Sequence, residues 1–221
     1  LGQNFLEDKI VLQEIINSIK PQREDDFLEI GPGKGSLTEL ILGSVNTLNA
    51  VELDRDLILG LKLLGQKEGN LTIYNENILD FKINEIPKPK NKLRVIGNLP
   101  YNISSSIMLW SFNNQNKFKD MHYMFQKEFG QRLSSGTRSK SYGRLSVLTQ
   151  YMTKVLSLFV VNPESFKPVP AVESIFVKLT PIPGRDINSP TAKKLQEITQ
   201  IAFSKRRKMI SKSYKDILGK E

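Results

Sequence analysis

The spacing of hydrophobic positions changes along the chain and separates helices from strands. Between Ile10 and Ile19, in DKIVLQEIINSIK, apolar residues have the three- and four-residue spacing of an amphipathic helix, which ends before Pro21. The next stretch, DDFLEIGPGKGSLTELIL, contains a short apolar run, a glycine-rich loop and a second helical pattern. This order predicts a strand, a loop and a helix, which together form a βα unit.

The same alternation continues through the middle of the chain. Short apolar runs in LNAVEL, LTIY and LRVIGN predict further strands, and helical spacing predicts helices over residues 56–64 and 104–112. Strands that alternate with helices favour a parallel sheet with helices on its faces. We therefore expect an α/β fold.

The pattern changes after DMHYMFQKE. Two β-rich runs, SLFVV and SIFVKL, flank the proline-rich NPESFKPVPAVE and predict a terminal β-hairpin packed on the sheet. The Pro-, Gly- and Asp-rich TPIPGRDINSP predicts a linker, and the segment after it is helical and strongly basic. We expect a first domain over residues 1–180, a linker over 181–190 and the start of a small helical domain over 191–221.

Composition narrows the class of protein. The 221 residues are 39% hydrophobic, which is enough for an ordinary packed core, and their net charge is +9. That charge favours a polyanionic partner, with nucleic acid first, although a basic soluble protein without such a partner has the same composition. The absence of cysteine excludes disulfides, thiolate zinc sites and cysteine nucleophiles. His122, the one histidine, lies in an apolar strand pattern, so we expect a structural role for it and no metal site.

The sequence contains no targeting or membrane signal. It has no run of about 18 apolar residues and does not open on a signal peptide. We therefore expect a cytoplasmic protein that does not associate with membranes, and we expect it to be a monomer. Because the sequence begins with Leu1, we expect it to be part of a longer chain.

Glycines dominate the loop after the strand in LEIGPGKG. Gly31, Gly33 and Gly35 let the backbone approach a ligand that side chains would exclude. Glu52 follows Gly31 by 21 residues and ends an apolar strand, where a carboxylate can accept hydrogen bonds from both ribose hydroxyls. The glycine spacing differs from the dinucleotide motif G-x-G-x-x-G, and the alternative is a tight turn without a ligand. The pairing of loop and acid favours a nucleotide-like ligand.

The strand in LRVIGN ends at Asn98 and is followed by Leu99, Pro100 and Tyr101. In α/β sheets, ligands bind at such strand ends. With the glycine loop and Glu52, this NLPY stretch resembles the class I S-adenosylmethionine-dependent methyltransferases that modify exocyclic amino groups. The resemblance implies that the side-chain oxygen of Asn98 and the backbone carbonyl of Leu99 accept the two amino hydrogens. Pro100 would fix the turn, and Tyr101 would stack on the flipped base. The alternative is that Asn98 only caps the strand end.

Further stretches narrow the resemblance to one family. In chain order they are LGQNFL, EIGPGKG, VELDRD, GNLPYNIS, QKEFGQRL, SKSYGRLSVLTQY, FKPVPAVES and FSKRRK. Over essentially the whole chain they resemble the KsgA/Erm family of ribosomal RNA adenine methyltransferases, and SKSYGRLSV and GNLPY are closer to the KsgA branch. The resemblance implies dimethylation of two adjacent adenosines in the 3′-terminal hairpin loop of 16S ribosomal RNA, within a pre-assembled small subunit. It also implies S-adenosylmethionine as the cofactor and a helical domain longer than the part that follows residue 190 here.

The resemblance also assigns residues to the cofactor. The positions carried over are Asn4, Leu6, Gly31, Gly33, Glu52, Asn77 and Asn98. Asn4 and Leu6 would close over the cofactor, and Glu52 would hold its ribose. Asn77 stands where the family usually has Asp beside the adenine of the cofactor. We expect weaker cofactor binding as a result, because an amide cannot give charge-assisted hydrogen bonds.

Contacts to RNA form a last group of expectations. Phe166 in FKPVP matches a second family aromatic that would sandwich the target adenine against Tyr101, and the alternative is a core position beside a proline turn. The basic residues expected to contact RNA phosphates are Arg144, which borders a Ser/Gly-rich loop, and Lys205, Arg206, Arg207 and Lys208. Each of the four residues from Lys205 to Lys208 is nearly as well explained by a solvated helix face.

Two other functions stay open beside the small-subunit dimethyltransferase. One is an Erm-like methylase of 23S ribosomal RNA, and the other is a ribosome-assembly factor without catalysis. The intact Asn98, Pro100 and Tyr101 argue against the assembly factor, because binding alone does not require them. A small-molecule methyltransferase fits the net charge of +9 poorly.

Overall fold

The computed structural model describes residues 3–87 and 89–204. The strands of its main sheet are β2 (Asp26–Ile30), β3 (Thr47–Val51), β4 (Leu71–Tyr74), β5 (Leu93–Asn98), β6 (Phe118–Gln126), β7 (Thr153–Val161) and β9 (Ser174–Pro181), and their order in space is β4-β3-β2-β5-β6-β9-β7. The strands from β2 to β6 are parallel, and β9 is antiparallel to both β6 and β7. The predicted α/β fold with a terminal hairpin is confirmed.

Helices cover both faces of this sheet. They are α1 (Lys9–Ile19), α2 (Ser36–Leu42), α3 (Arg55–Glu68), α4 (Ser104–Asn114), α5 (Lys127–Ser134), α6 (Arg144–Met152) and α7 (Pro190–Ala202). Successive side chains of a strand point to opposite faces, so Phe27 packs with α1 and α2, whereas Leu28 packs on the side of α4, α5 and α6. Because both faces are covered, all of β2 is buried.

The sequence pattern predicts neither α5 nor α6, which lie on either side of the Ser/Gly-rich loop. A Cβ on Gly130 of α5 would clash with Cγ2 of Ile175, so the backbone of α5 lies directly on β9. Glycine lowers intrinsic helix propensity, and this helix therefore depends on tertiary packing that the sequence pattern does not contain.

A short strand pair that the sequence pattern also does not predict brings the N-terminal segment over the glycine loop. Strand β1 (Phe5–Leu6) is antiparallel to β8 (Phe166–Lys167). The N–H of Glu7 donates to the Ser165 carbonyl at 3.0 Å. Residues 3–7, called the strap below, are thereby held beside the carboxyl ends of β2, β3 and β5.

A buried charge cluster fastens α1 to the opposite end of the sheet. The Arg94 guanidinium forms ion pairs with Asp25 at 2.8 Å and Asp120 at 2.9 Å, and it donates to the Ile19 carbonyl at the end of α1 at 2.7 Å. His122 is fully buried beside Asp120, and burial lowers its pKa to about 4, in keeping with the structural role expected for it. In residues 3–87 and 89–204, no group of three or more His, Cys, Asp or Glu side chains could hold a metal ion.

The segment between β9 and α7 is tied to the rest of the molecule. The Ile182 N–H donates to the Met152 carbonyl at 3.0 Å, and the guanidinium of Arg185 lies 4.3 Å from the ring centre of Tyr151. Helix α7 packs against α6. These contacts limit the freedom of the segment predicted as a linker, and the domain boundaries themselves stay a prediction. Among the described helices, none is long and apolar enough to cross a membrane.

Glu29 in β2 is a buried carboxylic acid next to the glycine loop. Its side chain accepts a hydrogen bond of 2.7 Å from the Thr38 hydroxyl. Burial, with a contribution from the charge of Glu52, raises the pKa of Glu29 from 4.5 to about 7. Between these two values the folded protein holds a proton that the unfolded chain has released, so the contribution of Glu29 to stability falls as the pH rises through this window.

The substitution Glu29→Gln removes this pH dependence. We expect the free energy of unfolding of the variant, relative to wild type, to rise by about 3 kcal/mol between about pH 4.5 and about pH 7.5. Urea denaturation at several pH values measures the difference. His122 titrates in both proteins, so its contribution cancels. Glu39→Gln, on an exposed position of α2, is the matched control. A difference that does not change with pH would contradict the expectation.

Candidate active site

A cavity of about 250 Å³ lies at the carboxyl ends of β2, β3 and β5. Ten of the residues singled out in the sequence line it: Asn4, Leu6, Gly31, Gly33, Glu52, Asn77, Asn98, Leu99, Pro100 and Tyr101. The strap closes one side, the glycine loop forms a second, and the NLPY segment forms a third. The parallel sheet brings these distant segments together because its strands end at a common edge.

The glycines of the loop serve different needs. Gly31 has φ +65°, and a Cβ there would meet no atom within 4 Å, so its missing side chain leaves open space beside the cavity. A Cβ on Gly33, which has φ +60°, would lie 2.9 Å from the ring of Phe5 in the strap. Gly31 therefore leaves room for a ligand, and Gly33 leaves room for the strap.

The Glu52 carboxylate links the end of β3 to the glycine loop. One oxygen accepts from the Gly33 N–H at 3.0 Å, and the other accepts from the Asp54 N–H at 2.9 Å. The residue is 2% exposed. Each carboxylate oxygen has a second lone pair, so Glu52 can hold the loop and still accept a hydroxyl from a ligand.

Asn77 lies across the cavity, after β4. Its Oδ1 accepts from the Leu79 N–H at 3.1 Å, and its own carbonyl accepts from the N–H groups of Asp80 and Phe81 at 3.0 Å each. These bonds form a turn that fixes the side chain at the edge of the cavity. The neighbouring Ile78 is buried and also lines the cavity, so a ligand here would meet one apolar side chain and one amide.

The Asn98 side chain is oriented by the strap. Its Nδ2 donates to the backbone carbonyl of Asn4 at 2.9 Å. Because a carbonyl can only accept, the amide nitrogen must face the strap, and Oδ1 is left as an acceptor. Among the described residues, none donates a hydrogen bond to this oxygen.

Backbone constraints set the position of the NLPY segment. A Cβ on Gly97 would lie 2.7 Å from the Leu99 side chain and 2.9 Å from the Ile30 carbonyl, so only glycine fits at this strand end. The Leu99 N–H donates to the Met124 carbonyl of β6 at 3.3 Å. The chain then turns at Pro100, with φ −57°, into a 3-10 turn that begins at Tyr101. The two residues after Asn98 are thus fastened to the sheet on one side and to a turn on the other.

Tyr101 is half-buried at the cavity and is held at both ends. The Ser104 hydroxyl donates to its backbone carbonyl at 3.2 Å. Its phenol oxygen lies 2.7 Å from the hydroxyl of Ser174, the first residue of β9. The ring is therefore fixed at its backbone and at its far edge.

Phe166 does not join Tyr101 at the cavity. It is fully buried in β8, where it packs among the apolar side chains on the side of α1 and α2. In this conformation no face of its ring is available to stack on a base, so the expected sandwich with Tyr101 does not form. The burial agrees with the alternative, a core position. Phe166 is paired with Leu6 of the strap, and its ring fills the space beneath the strap.

Of the five basic residues expected to contact RNA, Arg144 alone lies within the described part of the chain. Arg144 is exposed at the start of α6 and does not line it. Lys205, Arg206, Arg207 and Lys208 lie outside the described residues. Their contacts with RNA remain predictions.

Charged side chains hold the strap at the mouth of the cavity. Glu7 forms ion pairs with Lys34 at 2.8 Å and with Lys167 at 3.2 Å, and the hydrogen bonds from these lysines hold its pKa below the ordinary value. The Lys34 ammonium lies 4.9 Å from the ring centre of Phe5. The ion pairs of Glu7 therefore join the strap to the glycine loop through Lys34 and to β8 through Lys167.

Sequence reasoning overlooked three residues at this site. Glu29 lines the cavity and stands two positions before Gly31. A carboxylate near the end of an apolar strand is unusual, and this position in the sequence could have indicated a site residue. Phe5 lines it from the strap, between two residues that the family resemblance assigns. Ser174 contacts Tyr101 from a position 73 residues away, and no local pattern reveals this contact.

Comparisons with known proteins agree with this geometry. The family model described as "Ribosomal RNA adenine dimethylase" matches residues 1–221. Ribosomal RNA small subunit methyltransferase A of Psychromonas ingrahamii is 41% identical over 100% of this chain and 82% of its own length, and that of Coxiella burnetii is 41% identical over 99% and 84%.

Solved structures show the same relationship. A dimethyladenosine transferase from Plasmodium falciparum has a TM-score of 0.84 and 30% identity, with 96% of this chain and 74% of that chain covered. The 23S rRNA methyltransferase ErmE has a TM-score of 0.77 at 23% identity, over 97% of this chain and 84% of its own, which shows a shared fold. Together with the family match over the whole sequence, these findings confirm the resemblance: the chain belongs to the ribosomal RNA adenine dimethylase family.

Proposed function

We propose that this protein dimethylates the exocyclic amino groups of two adjacent adenosines in the 3′-terminal hairpin loop of 16S ribosomal RNA, within the small ribosomal subunit, with S-adenosylmethionine as the methyl donor. Membership of the family and the names of the relatives support the reaction class and the small subunit. The net charge of +9 supports an RNA partner. A cytoplasmic location and a monomeric state stay predictions.

The single observation that carries the catalytic proposal is the orientation of Asn98. Its nitrogen is bound to the Asn4 carbonyl, so its oxygen can accept a hydrogen from the amino group of a target adenine. The Leu99 carbonyl would accept the second hydrogen. The adenine amino nitrogen is a weak nucleophile because its lone pair is delocalised into the ring. Two acceptors favour the pyramidal nitrogen that develops as the methyl group is transferred, and this lowers the barrier.

The residues of the cavity fit S-adenosylmethionine. That cofactor supplies a methyl group on a sulfonium, which is a strong electrophile. The open space beside Gly31 suits its methionine part, and the remaining lone pairs of Glu52 suit its ribose hydroxyls. Asn77 would accept from its adenine amino group. The residues proposed to hold it are Asn4, Leu6, Gly31, Gly33, Glu52, Asn77 and Asn98.

The remaining roles concern the target base and the proton. Pro100 would hold the turn, and Tyr101 would stack on the flipped adenine. No side chain needs to act as a base before methyl transfer, because the nitrogen becomes acidic only once it carries the positive charge. Its proton can then leave to solvent. The second methylation of the same nitrogen would need a new molecule of the methyl donor, and the monomethylated amino group would have one hydrogen left for one of the two acceptors.

Removal of the Asn98 amide tests the proposal directly. The protein is incubated with labelled S-adenosylmethionine and small subunits that lack the modification, and the label is mapped by primer extension. We expect two adjacent strong stops near the 3′ end of the RNA. We expect Asn98→Ala to lower the rate by about 100-fold or more, as removal of one transition-state hydrogen-bond partner does elsewhere. Asn17→Ala, an exposed asparagine of α1 outside the cavity, is the control and keeps the wild-type rate.

Two outcomes would favour the other functions. Methyl transfer to free 23S ribosomal RNA but not to small subunits would replace the small-subunit proposal with an Erm-like one. Binding to small subunits without any transfer of label would leave the assembly factor.

A second test concerns the amide at the adenine of the cofactor. Asn77→Asp keeps an oxygen acceptor for both Leu79 and the cofactor and adds charge assistance. We expect S-adenosylmethionine to bind about 3- to 10-fold more tightly by isothermal titration calorimetry. Asn17→Asp adds the same charge on an exposed position of α1 and controls for long-range attraction. Unchanged or weaker binding by Asn77→Asp alone would remove Asn77 from the cofactor site.

A further inference from the structure

We propose that Ser174 is a positioning residue for methyl transfer, because its hydroxyl holds the Tyr101 ring in the orientation that stacks on the target adenine. The proposal rests on the function proposed above. It gives a role to the end of the FKPVPAVES stretch, which the cofactor and catalytic assignments do not use. It also gives a reason for tyrosine rather than phenylalanine at the end of NLPY in this chain.

Ser174 is a rigid anchor. It has no exposed surface, and as the first residue of β9 it is paired with Gln126 of β6 on one side and with Val161 of β7 on the other. The preceding Glu173 accepts from the Lys127 backbone N–H at 2.9 Å and forms an ion pair with the Lys127 side chain at 2.7 Å. The hydroxyl therefore sits on backbone that is fixed from two directions.

Tyr101 needs such an anchor. Its backbone is held by the turn at Pro100 and by Ser104, but these contacts leave the ring able to rotate about its side-chain bonds. The bond of 2.7 Å between the two hydroxyl oxygens fixes the far edge of the ring. Tyr101 stays partly exposed and lines the cavity, so the hydrogen bond orients the ring without burying it fully. A platform that is already oriented loses less entropy when the base arrives, and this raises the rate of transfer.

The chain contains a second bond of the same kind that serves as a comparison. The Ser111 and Tyr123 hydroxyl oxygens lie 2.8 Å apart, both residues are fully buried, and neither lines the cavity. A serine–tyrosine bond in the core can support only folding. Variants of the two pairs therefore distinguish an effect on the position of the Tyr101 ring from an effect on the stability of the fold.

The test is a double-mutant cycle on Ser174→Ala and Tyr101→Phe. Each change deletes the same hydrogen bond, and Tyr101→Phe keeps the ring. We expect each variant to lower the single-turnover rate of methyl transfer at saturating small subunits by about 5- to 30-fold, which is the cost of a lost positioning bond. We expect the double variant to be no slower than either single variant. We expect the affinity for S-adenosylmethionine, measured by calorimetry, to stay within about twofold of wild type, because neither Tyr101 nor Ser174 is among the residues proposed to hold the cofactor.

The control pair is Ser111→Ala and Tyr123→Phe. We expect both to lower the thermal unfolding midpoint and to leave the transfer rate at the wild-type value. If Ser174→Ala fails to fold, the rate of Tyr101→Phe alone tests the proposal, since that variant keeps Ser174. A transfer rate within twofold of wild type for either variant of the Ser174–Tyr101 pair, or additive losses in the double variant, would overturn the proposal. An inactive wild-type protein would instead overturn the proposed function itself, so the two failures are distinguishable.

Discussion

The hydrogen bonds of one carboxylate set the shape of the site. Glu52 accepts from the Gly33 N–H in the glycine loop and from the Asp54 N–H after β3, and so joins two neighbouring strand ends. A buried carboxylate requires such donors, because an unpaired charge in the protein interior costs several kcal/mol. These two hydrogen bonds fasten the glycine loop to the end of β3. Gly31 and Gly33 both have positive φ, which favours glycine, and a Cβ on Gly33 would also meet the ring of Phe5.

The strap extends this constraint to the reacting groups. Phe5 packs against Gly33, and the carbonyl of the preceding Asn4 orients the Asn98 amide. Glu7 ties the same segment to Lys34 and Lys167. One short piece of backbone thus closes the side of the cavity proposed for the cofactor and orients the oxygen proposed to accept from the target base. A displacement of the strap would therefore disturb both sides of the cavity at once.

The sequence predicts the parts of this arrangement that depend on local patterns. Alternating helical and strand periodicities predict the parallel sheet, and the sheet in turn predicts that Gly31, Glu52 and Asn98 meet at one edge. The pairing of β1 with β8, the helix around Gly130 and the Ser174 contact depend on residues far apart in the chain, and periodicity carries no information about them. Phe166 shows the limit of a motif taken by itself. The stretch around it matches the family, but pairing with the strap buries the ring.

Glu29 and Glu52, the two acids of the cavity, relate the stability of the folded protein to the binding of a cation. Burial, with a contribution from the charge of Glu52, raises the pKa of Glu29 to about 7, so ionisation of the Glu29 carboxyl in the folded protein has a cost in free energy. A cation placed in the cavity would favour the ionised form of Glu29 and recover part of that cost. The proposed cofactor carries positive charge on its sulfonium and on its amino group, and the product that remains after methyl transfer has lost the sulfonium charge. If the sulfonium is bound beside them as proposed, the same pair of acids would favour the methyl donor over its demethylated product, because only the donor carries the second positive charge.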